Sequence, residues 1–158
     1  AYCLREVDPP AGVPGRMRLA RDGDVDLITK WMAGFHAEAV PDDPPADPHR
    51  AVVRFMESGT LTLWDNDGPV SLAGSSRGSE NGATVSAVYT PLKHRGNGYA
   101  SACVAALSQL LLDRGSTFCT LYADRSNPTS NRIYQRIGYR PVSDSAMYRF
   151  TPSGSGTN

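Results

Sequence analysis

A strand that runs through a short basic, glycine-containing loop into a long apolar-striped helix leaves few architectures open. Residues 88–107, VYTPLKHRGNGYASACVAAL, spell such a unit. The run GATVSAVYT ahead of the loop is rich in Val and Thr and reads as a strand. After the loop, Ala100, Cys103, Val104, Leu107, Leu110 and Leu111 recur at helical spacing. They predict a helix from about 98 to 114, with Gly115 as its stop. Arg95-Gly96-Asn97-Gly98 lies between, and two explanations are open: the glycines turn a corner, or the loop holds an anion. Without a β-carbon, Gly96 and Gly98 let backbone approach a ligand closely. The unpaired amides of the first helical turn point outward, and the helix dipole adds positive charge at that end, which together suit a phosphate. Lys93, His94 and Arg95 add cations in the same place. Gly-x-Gly by itself is a weak signal, since the loop lacks the third glycine of the dinucleotide fingerprint and the Lys-Ser/Thr of a P-loop.

The other elements alternate around this unit. RMRLA (16–20) reads as a short strand, and Asp22 or Asp24 offers an N-cap for a helix. Val25, Ile28, Trp31, Met32 and Phe35 predict that helix over about 24–39. A weaker helix over 48–58 ends at Gly59, and TLTLWDNDGPVSLAGSSRG reads as a hairpin turned at NDG. TFCTLYA is a further buried strand. Asn127-Pro128 starts a helix that runs to about Ile137, where Gly138 stops it, and AMYRF closes as a final strand. This order specifies an α/β domain with a mixed central sheet flanked by helices. A Rossmann-type nucleotide binder would carry its glycine loop after the first strand, whereas here it follows the fourth. Two Pro-rich breaks interrupt the chain, DPPAGVPG and VPDDPPADPHR. The first separates AYCLREV from the rest, so that segment is expected to stay out of the main sheet and to belong to something upstream. The expected boundaries are 1–14 for this segment and its linker, 15–151 for the domain and 152–158 for a flexible tail.

Composition narrows the partners. Lys plus Arg and Asp plus Glu number 16 each among 158 residues, so no overall field gathers nucleic acid or a membrane, and an anionic ligand needs locally placed cations. No apolar run reaches membrane-spanning length, and the start does not read as a signal peptide. Cys3, Cys103 and Cys119 form an odd set without Cys-x-x-Cys spacing, which reads as buried free thiols in a reducing, cytoplasmic setting. His36, His49 and His94 have no ligand-like spacing, and no metal site is expected.

Taken with its surroundings, the loop resembles that of the GNAT superfamily of acyl-CoA-dependent N-acyltransferases. The family signature is Gln or Arg, two residues, Gly, one residue, then Gly or Ala, and Arg95-Gly96-Asn97-Gly98-Tyr99-Ala100 fits it. VYT just before it is similar to the end of the family's central strand. NPTSNRIYQRIGYRPV is similar to a second family segment, in which an Asn opens a helix and a Tyr stands four residues before a Gly-aromatic pair: here Asn127, Tyr134, Gly138 and Tyr139. The resemblance covers element order from 16 to 150. It implies acetyl-CoA as co-substrate, with the backbone of Val88, Tyr89 and Thr90 along the pantetheine arm. Amides from Arg95, Gly96, Asn97, Gly98, Tyr99 and Ala100 would surround the pyrophosphate, Asn127 would reach the arm, and Tyr134 would stand near the thioester sulfur.

Acetyl transfer to an amine needs a neutral amine, a stabilised oxyanion and a proton or hydrogen bond for the leaving thiolate. The resemblance implies direct attack without an acyl-enzyme. It points to a backbone amide near Val88 or Tyr89 as oxyanion donor, and to Tyr134 as general acid. The base is open among Glu80, Asp124, His94 and water relayed from Ser86 or Tyr122. Trp31 and Phe35 read as core beside the acceptor site, and Arg132 and Arg136 as solvated. Asp42, Asp43 and Asp47 lie in the Pro-rich segment between the first two helices and would make an acidic lid favouring a cationic amine. The acceptor is a small-molecule or peptide amine. The rival reading is a catalytically silent acyl-CoA-binding module serving a larger protein. An upstream domain of the same protein and a second copy forming a homodimer are both open as partners.

Overall fold

The computed structural model describes residues 1–39, 47–77, 80–123 and 128–142. Its strands are β1 (Tyr2–Leu4), β2 (Arg16–Leu19), β3 (Leu61–Asp65), β4 (Pro69–Arg77), β5 (Gly82–Tyr89), β6 (Phe118–Leu121) and β7 (Arg140–Pro141). Its helices are α1 (Val25–Ala39), α2 (Pro48–Glu57), α3 (Tyr99–Asp113) and α4 (Pro128–Arg136). The strands form one sheet in the order β2-β3-β4-β5-β6-β1-β7. β2 through β5 pair antiparallel, β5 and β6 parallel, and β1 lies antiparallel to both β6 and β7. This is the mixed α/β architecture that the element order implies.

Local chemistry sets these elements. Asp47 caps α2 by accepting from the Arg50 amide at 3.1 Å, with Pro48 in the first helical turn, where its missing amide proton costs nothing. In the β3–β4 turn the Asp65 carboxylate accepts from the Gly68 amide at 3.0 Å. One apolar cluster joins Cys103, Val104, Leu107 and Leu111 of α3 to Val85, Cys119, Leu121, Tyr2 and Leu4. A second joins Ile28, Trp31, Met32 and Val52 of α1 and α2 to Leu61, Leu63, Leu72 and Ala87. Thr62, between Leu61 and Leu63, points the other way, its hydroxyl 3.7 Å from the Cys103 sulfur, so the two sets of helices take opposite faces of the sheet.

The first seven residues overturn an expectation. Residues 2–4 do not stay out of the main sheet: β1 is an interior strand between β6 and β7, with Tyr2, Cys3 and Leu4 all buried. The Pro/Gly stretch after it is a crossing and not a boundary. The Asp8 amide donates to the Ile137 carbonyl at 2.9 Å. The Pro14 carbonyl accepts from the Trp64 indole at 2.8 Å, which leads the chain across to β2 at the far edge. A short β7 at Arg140–Pro141 was not foreseen, and the expected last strand AMYRF (146–150) lies outside the described residues.

Candidate active site

The site grows from an irregularity in β5. Gly74 pairs with Ala87 but the next residue, Ser75, pairs with Val85, so Ser86 is an extra, exposed residue in the ladder, a β-bulge. Ala83 and Val85 therefore join the α3 cluster, while Ala87 and Tyr89 turn to the α1 side. The parallel ladder to β6 runs from Gly82–Phe118 to Val85–Leu121, where β6 ends; β5 continues to Tyr89. Beyond the bulge, β5 runs on without a β6 partner, and a cleft of about 520 Å³ lies beside it. Val88, Tyr89 and Thr90 line it from β5, and Arg95, Gly96, Gly98, Tyr99 and Ala100 from the loop and the start of α3. Ile133, Tyr134 and Arg136 line it from α4.

The loop is built to present amides. A single 3₁₀ turn, Leu92–His94, leads into Arg95, and Gly96 and Gly98 take φ of 86° and 84°. Gly98 is the N-cap of α3 and no side chain caps that end, so the first-turn amides stay available to a ligand. Asn97 turns its side-chain amide back onto the carbonyls of His94 (3.0 Å) and Arg95 (3.4 Å), which braces the loop from within. This backbone fits an anion such as a coenzyme pyrophosphate.

Tyr134 is partly buried, with its ring 6.4 Å from that of Tyr2 and 6.3 Å from that of Tyr139. Burial pushes its phenol up to about 12. Tyr139 is fully buried, its hydroxyl 2.8 Å from that of Ser108 on α3, and burial raises its pKa further. Sequence reasoning missed the part Tyr2 and Tyr139 play in flanking Tyr134, because nothing local reveals that β1 passes there.

The remaining expected residues divide. His94 lines the cleft with its ring 6.4 Å from that of Tyr99. Glu80 lines a separate cavity of about 690 Å³ at the opposite end of β5, beside Arg54, Phe55 and Leu111, and is not brought to the cleft. Ser86 is exposed at the bulge and Tyr122 is exposed just past β6. Asn127, Asp124, Asp42 and Asp43 lie outside the described residues, while Asp47 serves as the α2 cap. Trp31 is buried against Tyr89, with 6.4 Å between ring centres, and Phe35 packs on the same cluster. Ile133 lines the cleft, and Ile137, four residues on, is buried. Arg132 and Arg136, read as solvated, are both exposed, and Arg136 also lines the cleft. The three cysteines are free and buried, and burial pushes the Cys103 and Cys119 thiols up to about 12. Among the described residues no group of three or more His, Cys, Asp or Glu side chains could hold a metal ion, and no helix is long and apolar enough to cross a membrane.

Glu38, on the last turn of α1, is the carboxylate that sequence reasoning passed over. It lines the cleft and grips Arg95: Nη2 of Arg95 donates to both carboxylate oxygens, at 2.8 and 3.0 Å. The same guanidinium donates from Nε to the Thr90 carbonyl at 2.7 Å and lies 5.7 Å from the centre of the Tyr89 ring. Arg95 was expected as a free local cation for an anion, and the structure gives it a protein partner.

No curated protein sequence matches the chain. In fold it is similar to the aminoglycoside N-acetyltransferase AAC(6')-Iy in complex with CoA, with a TM-score of 0.66 and 15% identity over 85% of this chain and 93% of that one. It is similar also to a putative GNAT-family acetyltransferase from Novosphingobium aromaticivorans, with a TM-score of 0.65 and 23% identity over 88% of this chain and 58% of that one. A third likeness is to a transcriptional regulator from Bacillus halodurans, with a TM-score of 0.63 and 19% identity over 91% of this chain and 97% of that one. A protein-family model, that of the FR47-like proteins, matches residues 67–149, more than half of the chain and the stretch from β4 through the cleft to β7. The chain therefore belongs to the FR47-like family, within the GNAT superfamily.

Proposed function

We propose that this protein is an N-acetyltransferase that moves an acetyl group from acetyl-CoA to a primary amine by direct attack. The observation that carries the reading is the continuity of one cleft. The end of β5 beyond its last pair with β6, the uncapped glycine loop and Tyr134 line the same space. The AAC(6')-Iy neighbour holds CoA in a similar fold, which supports the choice of coenzyme.

Acetyl-CoA supplies the activated acetyl thioester. The chain's own residues do the rest. Val88 and Thr90 offer backbone hydrogen bonds to the pantetheine arm, as an added strand would receive them. The Arg95 amide, expected among the phosphate donors, is held by the Leu92 carbonyl at 3.2 Å, which leaves the amides of Gly96 through Ala100 to take the pyrophosphate. A backbone amide near Val88 or Tyr89 stabilises the developing oxyanion. Tyr134, protonated at neutral pH with its pKa pushed up to about 12, donates its proton to the departing sulfur. The acceptor enters as a small-molecule or peptide amine and gives up its proton to His94, which lines the cleft, or to water.

A thermal-shift titration with acetyl-CoA, followed by thiol release measured against a panel of amines, tests the reading. Stabilisation with amine-dependent thiol release is the expected result. Stabilisation with no turnover on any amine would favour the catalytically silent coenzyme-binding module instead. Neither response would remove the coenzyme from the account.

A further inference from the structure

Glu38 is an acidic side chain in a cleft whose proposed ligand is a polyanion, which on charge alone is the wrong sign. Its position explains why it is there. The pair with Arg95 joins residues 57 apart in sequence, and both partners line the cleft. The pair is partly open to solvent, with 41% of the Arg95 side chain and 56% of the Glu38 side chain exposed. A half-exposed ion pair of this kind contributes little to folding and exchanges readily for a better partner.

Arg95 does not need Glu38 to hold its place. Its Nε is fixed on the Thr90 carbonyl, its charge lies by the Tyr89 ring, and Asn97 braces the loop through the His94 and Arg95 carbonyls. What Glu38 does is neutralise the guanidinium. On the basis of the acetyl-CoA reading above, we propose that Glu38 is the resident counter-anion of Arg95 and gives it up to a coenzyme phosphate on binding. Glu38 thus sets coenzyme affinity downward. It keeps the loop's side-chain cation satisfied when the cleft holds no ligand, and it makes each binding event break one ion pair.

The sign separates this role from a structural one. A brace, when cut, weakens binding; a competitor, when removed, tightens it. Glu38→Gln keeps the shape of the side chain and removes its charge. The expected result is a Kd for acetyl-CoA that falls roughly two- to fivefold, the range set by losing one half-exposed pair. Acetyl-pantetheine, which has no phosphate, should bind unchanged. Inorganic pyrophosphate, followed by thermal shift, should tighten by the same factor as acetyl-CoA. In an Arg95→Gln background the Glu38→Gln effect should vanish, because the competitor then has nothing to compete for. Weaker or unchanged pyrophosphate binding in Glu38→Gln would overturn the proposal. So would equal tightening of acetyl-pantetheine, or an effect that survives Arg95→Gln. If pyrophosphate tightens as stated while acetyl-CoA binds to neither form, the exchange stands and the acetyl-CoA reading falls.

Discussion

Tyr134 is held by neighbours that make its hydroxyl a weak acid and its ring hard to move. The rings of Tyr2 and Tyr139 flank it, and burial pushes its phenol from an ordinary value of about 10 up to about 12. Tyr134→Phe keeps the ring and deletes the donor. Turnover should drop roughly 10²–10⁴-fold with coenzyme affinity and melting temperature almost unmoved; a Phe variant with near-normal turnover under conditions where chemistry limits the rate would remove Tyr134 from the mechanism. The raised pKa fixes a sign as well. The folded state keeps this proton more tightly than the unfolded chain, so its contribution to stability is complete below pH ~10 and declines as pH rises towards 12. Alkaline titration of the wild type and Tyr134→Phe, followed by circular dichroism, should show the wild type losing stability faster in that window. Gly98 answers a different question. At φ 84°, with a β-carbon there 3.2 Å from the Val13 side chain, Gly98→Val strains the backbone and displaces the first-turn amides together. Binding should weaken by roughly 1.5–3 kcal/mol for each amide–phosphate bond lost, with a fall in melting temperature beside it; a lowered melting temperature with intact affinity would place the phosphates elsewhere. The loop glycines and Tyr134 were legible because a motif states them in contiguous sequence. Glu38 was not, since a partnership across 57 residues has no local signal and its helix position reads as solvated.

At the scale of elements, strand identity was legible and strand partnership was not. The NDG turn and runs rich in Val and Thr declared β3, β4, β5 and β6, and helical spacing declared α1 and α3. Tyr2-Cys3-Leu4 also reads as a strand, but pairing is a property of two segments, and its partners, Cys119 through Leu121 and Arg140 to Pro141, lie more than a hundred residues away. The proline-rich stretch beside it carries the composition of a linker whether it separates two bodies or spans one. The bulge at Ser86 was hidden for a related reason: an extra residue shows only against the register of its neighbour. The docking of β1 can be tested at a single glycine. Gly138 sits at φ 118° where α4 turns into β7, and a β-carbon there would lie 2.5 Å from the Glu6 carbonyl oxygen, an atom of rigid backbone. Gly138→Ala should therefore destabilise the fold by several kcal/mol, combining left-handed strain of roughly 1–2 kcal/mol with the displacement of residues 4–8 from α4. Leu4→Ala, at a side chain only 1% exposed, should cost roughly 2–5 kcal/mol. Urea unfolding of both variants measures this directly. If Leu4→Ala is as stable as the wild type, β1 does not hold the sheet together.

The described fold is two apolar layers sharing one sheet, and β5, which runs past the end of β6 to line the cleft, also joins the layers. β5 contributes Ala83 and Val85 to the α3 cluster and Ala87 to the α1–α2 cluster, switching sides at Ser86. Neither layer can lose its half of β5 without exposing the other's, so the described fold should unfold as one cooperative unit. The cleft inherits that coupling: α1 reaches it through Glu38, α3 through its uncapped end and α4 through Tyr134. A ligand that binds there engages both layers and stabilises them together. Acetyl-CoA at about 100 times its Kd adds roughly 2.7 kcal/mol to the folded state, which for a chain of this size should raise the melting temperature by about 5–10 °C. Calorimetry should show a single peak that moves as a whole when the coenzyme is added. Two peaks, with only the later part of the chain responding, would mean that the bulge divides the sheet into independently melting halves and that α1 and α2 stand outside the binding unit.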